Sequence, residues 1–157
     1  MHKEFIKDIG EKELIKRLAE FMTKNQVSDD CAFLRAKNKN LLVNTDALVE
    51  NVHFNDVTLS AFDVGWKAVA SNVSDLIASG CSKIIGVNIG LVVPAKTEWT
   101  WIKDLYSGIK RALEHFGGSI LGGDCSVGKE KVISMTIIGT QGEINYEETH
   151  ADRKRSL

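Results

Sequence analysis

The chain has 157 residues, 43% of them hydrophobic, and a formal net charge of −1 from 20 basic and 21 acidic side chains. That size suits one globular domain, and the balanced charge leaves no basic footprint for nucleic acid or an anionic membrane. No apolar run approaches the ~20 residues of a membrane span, and the charged opening MHKEFIKDIGEKELIKRLAEF lacks the pattern of a signal peptide.

Read in chain order, residues 9–23 predict a helix whose apolar stripe is Ile9, Leu14, Leu18, Phe21 and Met22. CAFLRA (31–36) and LLVNTDALV (41–49) predict strands joined by a turn at Lys37-Asn38-Lys39-Asn40, followed by an irregular loop over 50–59. The next helix is bounded by Ser60 as N-cap and Gly80 as stop, with Asp63 in its first turn and Phe62, Trp66, Val69, Val73 and Leu76 along its stripe. KIIGVNIGLVV (83–93) predicts a strand closed by Pro94. A helix over 97–116 then has Thr97 as cap, Ile102, Leu105, Ile109, Leu113 and Phe116 facing inward, and Gly117-Gly118 as its end. SILGG (119–123) and KVISMTIIGT (131–140) supply two more strands. The order α-β-β-α-β-α-β-β predicts an α+β domain, a mixed sheet covered by helices on one face. The polar residues 143–157 read as a surface segment or as a linker leaving the domain at 1–142.

Cys31, Cys81 and Cys125 are far apart and odd in number, with no C-x-x-C pair. Structural zinc and a disulfide framework are disfavoured; small buried or half-buried residues in a reducing cytoplasm are expected. GDCSVGK (123–129) has the spacing of a phosphate-binding P-loop. However, Glu130 stands where the magnesium-binding hydroxyl belongs, and a strand follows where a helix N-terminus is required. The segment reads instead as a hairpin turn.

The carboxylates form a more informative pattern. Asp46 follows the buried run Leu41-Leu42-Val43, Asp124 follows SILGG, and Asp29 and Asp30 precede the first strand. Asp75 lies on a small polar helix side with Ala68, Ser71, Asn72 and Ser79. Acids gathered at strand and helix ends repel one another unless a cation is present, and magnesium takes such oxygen ligands with phosphates and water. The plainer alternative is that these aspartates are caps and turn formers. His53, alone after the second strand, is by default a surface residue. The glycines at 117, 118, 122 and 123 serve either as stops or as room for backbone amides to approach an anion.

Taken together, SDDCAFLR, LLVNTDALVENVHF, DVGWKAVASNVSDLIASG and GGSILGGDCSVGKEKVISMTIIG resemble, in order and spacing, the N-terminal domain of the thiamine-monophosphate kinase family, related to aminoimidazole ribonucleotide synthetase and selenophosphate synthetase. The resemblance implies ATP-dependent phosphorylation of thiamine monophosphate to thiamine diphosphate with magnesium, in a cytoplasmic homodimer whose sheets pair. It implies metal contacts for Asp30, Thr45, Asp46, Asp75 and Asp124, a substrate-phosphate contact for His53, and nucleotide contacts for Tyr106, Gly123 and Arg155. No nucleophilic side chain is implied, because phosphoryl transfer rests on positioning and charge neutralisation. The sequence departs from the family pattern at Ser28, Asn44 and Leu157, and a C-terminal domain carried by the family is not included. Two rivals stand beside this reading: a non-catalytic nucleotide- or metal-binding module, and another ATP-dependent enzyme of the superfamily, such as selenophosphate synthetase.

Overall fold

The computed structural model describes residues 5–22, 31–36 and 39–142. Its elements are α1 (Ile6–Leu18) with a 3-10 turn (Ala19–Phe21), β1 (Ala32–Ala36), β2 (Lys39–Val49), α2 (Ala61–Ala78), β3 (Cys81–Val93), α3 (Trp99–Phe116), β4 (Ser119–Val127) and β5 (Val132–Gln141). The strands form one sheet in the order β1-β2-β5-β3-β4. Only β3 and β4 are parallel; the other neighbours are antiparallel.

The core lies between this sheet and the pair α2/α3. Leu42, Ile89, Ile133, Met135 and Ile137 from the strands meet Val69, Val73, Leu76, Leu105 and Ile109 from the helices. β5 is the central strand of five, and its residues alternate between buried and half-buried, as a sheet covered on one face should. The two helices approach closely because neither has a side chain at the crossing. Gly65 abuts the Leu105 carbonyl and Gly108 abuts the Phe62 carbonyl, so a Cβ at either would overlap backbone. Ser60 caps α2 as predicted, its Oγ accepting from the Asp63 N–H at 3.2 Å, and Gly80 ends it at φ +86.

Four expectations need correction. The N-terminal helix buries none of its residues; Leu18, Phe21 and Met22 are exposed. Its period is broken at Gly10, which has φ +73, so an amphipathic pattern in sequence does not here produce a packed face. α3 is capped by Glu98 rather than Thr97, whose N–H is taken by the Pro94 carbonyl. Residues 123–129 are no hairpin turn. β4 extends to Val127 and runs parallel to β3 on one side, while β5 runs antiparallel to β3 on the other. Because α3 returns the chain to the starting end of β3, the next strand must be parallel. The 128–131 connection then crosses over the end of β3, where Gly128 N–H donates to the Val93 carbonyl at 3.0 Å. Finally, Cys125 is exposed, since β4 is an edge strand with solvent on both faces.

Candidate functional site

Asp46 and Asp124 both lie within strands, not at strand ends, so strand alternation decides where they point. Across the sheet, Asp46, Met135, Ile89 and Gly123 form one row. Met135 and Ile89 are buried under the helices, which puts Asp46 on the helix-covered face, although it is itself exposed. Asp46 thus follows a buried run without being buried itself. The next row, Ala47, Ser134, Gly90 and Asp124, belongs to the open face. Thr45 also points there, its Oγ1 2.8 Å from Thr136 Oγ1. Moreover, β2 and β4 are separated by β5 and β3, three inter-strand steps or roughly 14 Å. Thr45 and Asp46 thus diverge, and Asp124 stands across the sheet from both.

What the fold does bring together is the corner between β2 and α2. Asn44 is 6% exposed and donates from Nδ2 to Asp75 Oδ2 at 2.8 Å. One turn earlier on α2, Asn72 is 1% exposed; its Nδ2 donates to the Ala68 carbonyl at 2.9 Å, and its Oδ1 is buried without a partner among the described residues. A buried acceptor left unsatisfied is a place where a water or cation belongs. Asn44 and Asp75 are the pair joined across this corner; Asp46 lies on the same face of β2, and Asn72 one turn from Asp75 on α2. Among the described residues, however, no three His, Cys, Asp or Glu side chains converge as a metal cage. Asp30 and Arg155 lie outside the described residues, and so does the segment 143–157.

Beyond β2 the chain forms a tight loop that presents His53. The His53 N–H donates to the Val49 carbonyl at 2.9 Å, and its Nδ1 accepts from the Val49 N–H at 3.0 Å. The neutral ring that satisfies this contact carries its hydrogen on Nε2. From α2, Lys67 Nζ donates to the His53 carbonyl at 2.9 Å, which sets an exposed cation beside the loop. Phe54 is buried and stacks on Trp101 of α3 with ring centroids 6.5 Å apart.

The loop is also held by a residue that the sequence reading passed over. Lys131, 8% exposed, donates from Nζ to Glu50 Oε1 at 2.6 Å and to Asp56 Oδ2 at 2.7 Å, and it lies 5.1 Å from the Trp101 ring centroid. Burial pushes its ammonium pKa down, but hydrogen bonds to Asp56 and Glu50 hold it above the ordinary lysine value. The same bonds hold the Glu50 and Asp56 carboxyls below theirs. In the sequence Lys131 only opens an apolar strand; its pairing with Glu50 becomes visible once β2 and β5 are in register.

At the other side of the sheet, Tyr106 lines an apolar cavity of about 570 Å³ with Trp99, Ile102, Lys103, Ile120 and Cys125. Burial, and secondarily Cys125, raises the Tyr106 hydroxyl pKa. The cavity adjoins the stretch of β4 that carries Gly123 and Asp124. A Cβ on Gly123 would overlap the Ile89 carbonyl, so glycine lets the edge strand lie close to β3 at this point. Asp124 Oδ2 accepts from the Ser126 hydroxyl at 3.3 Å.

A mixed sheet with helices on one face, polar groups at the β2–α2 corner and an apolar cavity between a helix tyrosine and the edge strand describe the class. The chain matches the model for AIR synthase related protein, N-terminal domain, over residues 28–141, and it belongs to that family. Within it, the chain is 46% identical over 148 residues to the thiamine-monophosphate kinase of Prochlorococcus marinus, covering 94% of this chain and 44% of that protein. The solved structure of AaThiL complexed with AMPPCP and TMP superposes with a TM-score of 0.84 at 33% identity, covering 89% of this chain and 45% of that one. Thiamine monophosphate kinase from Aquifex aeolicus gives 0.77 at 32% identity, over 88% and 44%. The chain thus spans less than half the length of these relatives. No helix among the described residues is long and apolar enough to cross a membrane.

Proposed function

We propose that this chain is the nucleotide- and phosphate-facing N-terminal half of a thiamine-monophosphate kinase, with residues 1–142 as the domain and 143–157 as the segment leading towards a C-terminal domain. The likeness to AaThiL complexed with AMPPCP and TMP carries this reading. ATP would lie along β4, its base in the cavity beside Tyr106 and its phosphates towards Gly123 and Asp124, with Arg155 as a further contact. His53 would donate from Nε2 to the phosphate of thiamine monophosphate. Asp75 and Asp46, aided by Asn72 Oδ1, would hold magnesium at the β2–α2 corner, with Asp30 as a further ligand; Thr45 and Asp124, on the open face, would not join that site. Magnesium, when bound, would neutralise the phosphate oxygens during transfer. A second copy would cover the open sheet face, whose half-buried Val43, Val132 and Ile138 offer apolar surface. Three widely spaced cysteines outside any disulfide suit the cytoplasm.

Both substrates must be held in line, and a misplacement of ~1 Å can cost about a hundredfold in rate. The isolated chain is therefore expected to show no detectable kinase activity. Fusion after Leu157 to the C-terminal half of the P. marinus relative should yield thiamine diphosphate from ATP and thiamine monophosphate, with less product when that half is supplied in trans. Robust turnover by the 157 residues alone would refute the half-enzyme reading. A folded fusion that binds both substrates without turnover would favour a non-catalytic binding module.

A further inference from the structure

The Lys131 cluster lies outside every residue set discussed for nucleotide, metal or substrate. Its ammonium joins two carboxylates from the two ends of one loop. Glu50 is the first residue after β2, Asp56 lies six residues later, and His53 sits midway. The main chain reinforces the tie: Glu50 N–H donates to the Lys131 carbonyl at 2.9 Å, and Lys131 N–H donates to Glu50 Oε2 at 3.1 Å. Trp101 closes the far side, its Nε1 donating to Asp56 Oδ1 at 3.1 Å. Inside the loop, Asn51 has φ +63, the left-handed turn conformation that asparagine tolerates, and its N–H donates to the Phe54 carbonyl at 2.7 Å. An exposed loop keeps one conformation when its surroundings over-determine it, and a buried lysine shared by both ends does so here.

We propose that Lys131 is a positioning residue: by clamping Glu50 to Asp56 it holds the 50–56 loop in the turn that gives His53 its Val49 contact and aims Nε2–H outward. The role of that outward donor rests on reading His53 as the phosphate contact; the clamp itself does not. Removing one partner of a buried ion pair leaves the others uncompensated, so Lys131→Met, of similar length and without charge, should open the loop.

The test uses the 157-residue chain. Long-range nitrogen–proton spectra of the His53 ring, assigned with His53→Ala, report the tautomer, and calorimetry reports thiamine monophosphate affinity. The parent should show the single Nε2–H tautomer. In Lys131→Met the ring should become a tautomer mixture, with affinity falling at least fivefold. A variant with a lower melting temperature but unchanged His53 spectrum and affinity would overturn the proposal and leave Lys131 a structural staple only. Should Lys131→Met fail to fold, Glu50→Gln, which keeps the Asp56 contact, carries the same comparison. An unchanged His53 spectrum there overturns the proposal; a mixed one supports it. If the parent chain does not bind thiamine monophosphate, the phosphate role of His53 loses its support, while the tautomer comparison still decides the clamp.

Discussion

Asn44, from the middle of β2, donates a 2.8 Å hydrogen bond to Asp75, near the C-terminal end of the helix packed above it. The departure of Asn44 from the family pattern therefore has a structural correlate, because an amide here reaches the carboxylate directly. A hydrogen bond to a charged, part-buried group contributes about 1.5–3 kcal/mol, so Asn44→Ala should lower stability within that range. Asn44→Asp should be worse without metal, since it sets two carboxylates together, and magnesium should raise its melting temperature more than the parent's. Melts with and without magnesium chloride check both; a magnesium response equal to the parent's would remove the corner from the cation reading.

Gly65→Ala separates two opposing effects. Alanine favours the helix by about 1 kcal/mol over glycine, whereas overpacking typically destabilises by about 1–3 kcal/mol. With the Leu105 carbonyl already against the Cα, overpacking should win. Denaturant unfolding should show a net loss of stability; a gain would mean that α2 and α3 separate at little cost.

The carboxyls of Glu50 and Asp56 are depressed chiefly by Lys131 hydrogen bonds. Depressed carboxyls contribute stability above their unfolded values, near pH 4, and lose it as pH falls through their folded values. Lys131, raised in the fold, contributes below its unfolded value near pH 10 and loses it as pH rises past the folded one. The stability profile of the parent should be flat between these limits and fall on the acid side below about pH 4. Lys131→Met should be less stable at neutral pH, with a shallower acid decline; parallel curves would show that the cluster does not govern the acid limb.

Of the three thiols, Cys125 alone is exposed, and it lines the Tyr106 cavity. Substoichiometric alkylation followed by peptide mapping should label Cys125 first, and magnesium-ATP should slow that labelling. Preferential labelling of Cys31 would mean that the edge of the sheet opens.

Much of the fold was legible in the sequence because its elements obey local rules. The stripe of α2 (apart from Phe62, which is exposed), its Ser60 cap and the apolar run of β3 need no distant partner to be recognised. The failures came from relations between distant residues. GDCSVGK does not reveal that β4 and β5 flank β3, because pairing is set by the return of α3. Acids read as sharing a site were divided by strand alternation and by two intervening strands. Lys131 offered no motif, because its meaning lies in Glu50 and Asp56, some eighty residues away. The N-terminal stripe shows the converse: Leu18 and Phe21 have helical spacing and stay exposed.

The claim that this domain binds nucleotide along β4 is tested most directly by titrating the isotopically labelled chain with magnesium and AMPPCP and mapping the amide shifts. Even weak binding should move Leu121 to Ser126 and the α3 turn around Tyr106, and Asp124→Asn should diminish those shifts. Shifts confined to the Lys131 loop, or none at millimolar ligand, would contradict the account.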